Sequence, residues 1–89
     1  MPYIKKIDRK RYDGPVDDLV VRLEWEPEKK AGHCNYCIET LLIKTYNLEE
    51  PSYARINEAI GVLECSKLEL YRRLSKYEDK KRKENGDIY

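Results

Sequence analysis

Apolar residues recur at spacings of three and four along most of this chain, the period of an amphipathic helix rather than of a strand. The longest such run lies between Ser52 and Glu84, where Tyr53, Ile56, Ile60, Leu63, Leu70, Leu74 and Tyr77 mark one seam. Written in heptads, Lys67 is the one polar residue on that seam, and a single polar seam position commonly sets register or oligomer state. A second row, Ala59, Val62, Cys65, Leu68 and Tyr71, runs beside it. Ser52 is a fitting cap for this helix and Pro51 a stop for whatever precedes it.

Two shorter helices are predicted upstream. Gly14-Pro15 reads as a helix start, because proline suits the first helical position and Asp17 and Asp18 would meet the positive helix end. Val16, Leu19, Val20 and Leu23 follow at helical spacing, so helix 1 is predicted over 15–26, ending before Pro27. Helix 2 is predicted over 33–46, with Cys34, Cys37, Ile38, Leu41, Leu42 and Tyr46 as its inward stripe. Residues 1–13 read as an arm whose Tyr3, Ile4, Ile7 and Tyr12 lie over the core. Helix 3 is predicted over 52–84, with a break near 75–76 or a projecting end. Unbroken it would span about 50 Å, against a radius of gyration of about 12 Å for a compact domain of this size. Asn85-Gly86 is a cap signal, and residues 85–89 form a tail.

The expected architecture is therefore a single all-α domain of 89 residues, completed by self-association. A two-fold dimer is the simplest form, with Ala59, Val62, Leu68 and Tyr71 as its interface. Gly61 in mid-helix would permit close approach of a second helix.

Composition sharpens this picture. The chain is 39% charged with a net charge of +1, which favours neither a nucleic-acid binder nor a DNA mimic. Eight tyrosines and no phenylalanine suit half-buried seams and interfaces. No apolar run is long enough for a membrane span, and no secretory leader is legible. With three cysteines, this argues for a cytoplasmic protein with reduced thiols.

Two constellations could carry chemistry. Cys34-x-x-Cys37 at a predicted helix start would hold thiolates against the helix N-terminus, the logic of redox dithiols. With His33 and Cys65 it could complete a zinc set. However, His33 and Cys34 point about 100° apart on a helix, and three small buried thiols facing one another is the simpler reading. The second constellation is Arg55, Arg72 and Arg73 with Tyr53 and Tyr71, whose guanidinium forks and rings suit an anionic nucleotide held between subunits. Arg55 and Arg72 lie about 25 Å apart along one helix, so a shared ligand would need an antiparallel second copy. The competing reading is a solvated, salt-bridged helix face. A single histidine rules out a multi-histidine metal site, and no glycine loop cradles phosphate. A non-enzymatic protein is expected.

The stretches MPYI, Gly32-x-x-Asn35-Tyr36, SYARINEAIGVLECSKLELYRRL, YEDKK and ENGDIY resemble a group of small hypothetical proteins of bacteriophage and prokaryotic genomes. These carry a domain of unknown function, and the resemblance covers nearly the whole chain. It implies no activity. It does imply a viral or mobile-element setting, in which a host protein or a sequestered nucleotide would be the partner.

Overall fold

The computed structural model describes residues 3–87. They form three α-helices, α1 (Lys6–Leu23), α2 (Lys30–Thr45) and α3 (Tyr53–Glu84), with one 3-10 turn at Pro27–Lys29 ahead of α2. No strand occurs among the described residues, so the all-α class and the long third helix stand. The chain divides into two compact units, Tyr3–Ala59 and the segment that starts at Ile60.

The first helix departs most from expectation. It begins at Lys6, not at residue 15, and passes through Gly14 and Pro15. A proline inside a helix removes one hydrogen bond and costs ~3 kcal/mol. The tract from Lys5 to Arg11 holds no breaker and several good helix formers, so the helix extends past that single defect. The arm shrinks to Tyr3–Lys5 among the described residues, and Tyr3, Ile4, Ile7 and Tyr12 are exposed rather than laid over a core. Asp17 and Asp18 now sit beyond the middle of α1, where the helix end no longer favours them. The helix also stops early, at Leu23. Glu26 is held near extended backbone, as a residue before proline prefers.

The other ends follow local chemistry. α2 starts at Lys30, three residues before the predicted start, because the 3-10 turn feeds straight into it. It closes on Asn47 in the left-handed region, with the Leu48 N–H donating to the Ile43 carbonyl at 3.0 Å. That is a Schellman closure. Ser52 Oγ accepts from the Arg55 backbone N–H at 3.2 Å and so caps α3. The far end of α3 repeats the Schellman closure through Gly86, with Asp87 N–H donating to the Arg82 carbonyl at 2.9 Å. Helix α3 does not break at Ser75–Lys76. The Ser75 hydroxyl donates to the Arg72 carbonyl at 2.8 Å, which satisfies it within the helix. Of the predicted tail, Ile88 and Tyr89 lie outside the described residues.

The first unit holds a small core. Among the described residues Leu42 and Ala59 alone are buried, and Leu23, Cys34 and Cys37 are half-buried. The second unit is one helix. Its seam residues Ile60, Leu63, Leu70, Leu74 and Tyr77 are all exposed. A single helix gains little from its own backbone, because most helical stability in proteins comes from a packed apolar face. Side-chain pairs support it instead: Lys67 with Glu64, Arg82 with Asp79 and Lys81 with Glu84.

Candidate functional site

Within the first unit, α1 and α2 leave an apolar groove between them. Leu19 and Leu23 form one wall, and Cys34, Cys37, Ile38 and Leu41 the other, around a cavity of about 440 Å³. An adjoining hollow of about 320 Å³ shares Leu19, Leu23, Tyr36 and Cys37 and adds Arg22 and His33. The sequence marks these apolar residues as inward stripes of helices 1 and 2. It carries no signal that the stripes would wall an open groove, because that depends on what packs over them.

The cysteines do not stand where the pattern placed them. Because α2 starts at Lys30, Cys34 and Cys37 lie beyond the first four residues, whose N–H groups are the ones a helix leaves free. The thiols line an apolar wall rather than meeting a helix N-terminus. Cys65 is exposed and belongs to the second unit, so the expected triad of buried thiols is not formed. His33 is exposed at the groove margin. No group of three or more His, Cys, Asp or Glu able to hold a metal occurs among the described residues.

The arginine constellation is engaged within the chain. Glu69 accepts from Arg72 Nη2 at 2.7 Å and from Arg73 Nε at 3.0 Å, with its own side chain largely covered. Arg55 donates through Nη1 to the Glu50 carbonyl. The Tyr71 hydroxyl donates to Glu78, 3.0 Å to Oε2 and 3.1 Å to Oε1. That hydrogen bond, reinforced by the carboxylate's charge, holds the Tyr71 phenol above its ordinary value of 10.0. Tyr53 is nearly fully exposed. Tyr53 and Arg55 belong to the first unit, and Tyr71, Arg72 and Arg73 to the second. Neither unit by itself gathers the set into one site.

The expected interface residues also separate. Val62, Leu68 and Tyr71 are exposed and available to another chain. Ala59 is 2% exposed and offers no surface to a second copy. Its methyl group is small enough to vanish beneath neighbouring atoms, so its place on the stripe did not predict access.

A model of a family described as a domain of unknown function, DUF6899, matches residues 1–88, and the chain belongs to that family. No curated protein and no solved structure matches the chain. No helix of the described residues is long and apolar enough to cross a membrane.

Proposed function

We propose that this protein is a non-enzymatic, self-associating helical binding protein. The observation that carries the reading is the seam of α3, where Ile60, Leu63, Leu70, Leu74 and Tyr77 share one face and are all exposed. Isolated exposed apolar residues are ordinary, whereas a row of them along one face, here interrupted only at Lys67, marks a surface that binds another surface. A helix with such a row is taken up by a groove or by a like helix. The simplest partner is a second copy.

A host protein fits the same row, and the resemblance to phage and prokaryotic proteins agrees with that setting. An anionic nucleotide is the weaker candidate. Arg72 and Arg73 share Glu69, Arg55 is turned to a backbone carbonyl, and Tyr71 is turned to Glu78.

The test is native mass spectrometry of the whole chain beside a variant carrying Leu70→Glu and Leu74→Glu. The wild-type chain should fly as an oligomer and the variant at lower subunit number, with the helical circular-dichroism signal of α1 and α2 retained. A variant of unchanged assembly mass sinks the role of the seam, and a monomeric wild type sinks self-association.

A further inference from the structure

The charges of α1 run against its helix. Lys5, Lys6, Arg9, Lys10 and Arg11 crowd the start and are answered only by Asp8. From the middle of α1 onward Asp13, Asp17 and Asp18 face Arg22 alone, and Glu24, Glu26 and Glu28 follow past its end. A helix favours anions at its N-terminus and cations at its C-terminus, so this order costs stability in an isolated chain. It becomes favourable when a second α1 lies antiparallel, because each basic half then meets an acidic half.

The positions fit that arrangement residue by residue. Ile7, Gly14 and Val21 are spaced by seven and share one line along the helix. Ile7 and Val21 are 71% and 60% exposed. A Cβ built on Gly14 meets nothing within 4 Å, so no neighbouring group in the structure requires glycine there. Its lack of a side chain does ease the approach of Pro15, and it also lets a second backbone come close. Three and four residues on from Ile7 and Gly14 stand the flanking pairs, Lys10 with Asp17 on one side and Arg11 with Asp18 on the other. Turning one helix about Gly14 sets Ile7 level with Val21 and brings Lys10 beside Asp17 and Arg11 beside Asp18 on the same side, each within about one residue's rise of level and each contact made twice.

Among the described residues these groups hold only weak, exposed contacts. Among the described residues Lys10 and Asp17 take part in no salt bridge. Asp18 pairs with Arg22 at 3.2 Å, a solvated contact that a second partner can share. Arg11 rests over the Tyr12 ring at 5.9 Å.

We infer that α1 is a self-complementary interface: two copies of this chain pack α1 against α1, antiparallel, crossing at Gly14, with Lys10 and Arg11 of each copy paired to Asp17 and Asp18 of the other. The inference rests on the self-association proposed above but assigns it a second surface, distinct from the seam of α3. A two-fold axis through Gly14 makes the contact isologous and closed.

The experiment uses the full chain with Leu70→Glu and Leu74→Glu, so that association through α3 is silenced. Three further variants are made on it: Lys10→Asp with Arg11→Asp, Asp17→Lys with Asp18→Lys, and all four together. Each double variant alone should lose the dimer, weakened by roughly 100-fold, because like charges then face each other. An equimolar mixture of the two should form a heterodimer in native mass spectrometry, and the fourfold exchange should restore the homodimer. That restoration also guards against misfolding of either double variant. Dimers that ignore the exchanges, a mixture that stays monomeric, or a monomeric parent would each overturn the α1 contact. Loss of assembly through the α3 substitutions would leave the reading of α3 standing in all three cases.

Discussion

The two units of this chain are built on different physics. In Tyr3–Ala59, α1 and α2 lie against each other and the unit buries Leu42 and Ala59. From Ile60 onward there is one helix, every apolar seam residue exposed, held by pairs such as the Arg72–Glu69–Arg73 fork. Burial rewards residues far apart in sequence, whereas the fork links side chains three and four positions apart. The first kind of stability is cooperative and insensitive to salt. The second is local, weak and screened.

The contrast can be broken at Leu42. Leu42→Ala empties the larger of the two buried sites and should cost about 2–3 kcal/mol, near the lower end for buried leucine because the core is thin. Urea denaturation followed by circular dichroism reads this out, and hydrogen exchange should show α2 losing protection first. A loss under 1 kcal/mol would mean that the first unit is no better packed than the second.

A smaller effect sharpens the other side. Glu69→Gln deprives Arg72 and Arg73 of a shared carboxylate and should destabilise α3 by roughly 0.5 kcal/mol. Amide exchange around Leu70–Leu74 should quicken, and high salt should bring the wild-type chain toward the variant. Equal exchange in both at low salt would show that the fork contributes nothing.

The smallest effect is a titration. Tyr71 has its phenol raised by the hydrogen bond to Glu78 and by that group's charge. A raised folded value means that the contact stabilises the helix fully below the ordinary tyrosine value of 10.0, and that this contribution is lost as pH climbs through the raised one. Glu78→Gln should move the Tyr71 phenolate transition, followed by ring-carbon NMR, back down. An unmoved transition would remove Glu78 as the cause.

Much of the fold was legible because it rests on local rules. The helical period of the apolar residues, the Ser52 cap, the Pro51 and Pro27 stops and the all-α class all act within a few residues of one another. Helix 1 was misjudged for the same reason in reverse. Gly14-Pro15 is a fitting start by local preference, yet the basic tract before it makes a competent helix and carries the element through. The candidate sites were legible only as residue lists. Whether Cys34 and Cys37 stood at a helix start depended on where α2 began, and whether Arg72 was free depended on Glu69.

By itself, then, the sequence determined that the chain is helical and which side of each helix is apolar, and it pointed to a family of unknown function. Only the tertiary structure decided that Leu42 and Ala59 are buried while the seam of α3 is left open, and that α1 and α2 enclose a groove rather than a filled core. Helical period is a property of neighbours in the chain. Burial depends on which distant segments pack together, and no local pattern encodes that.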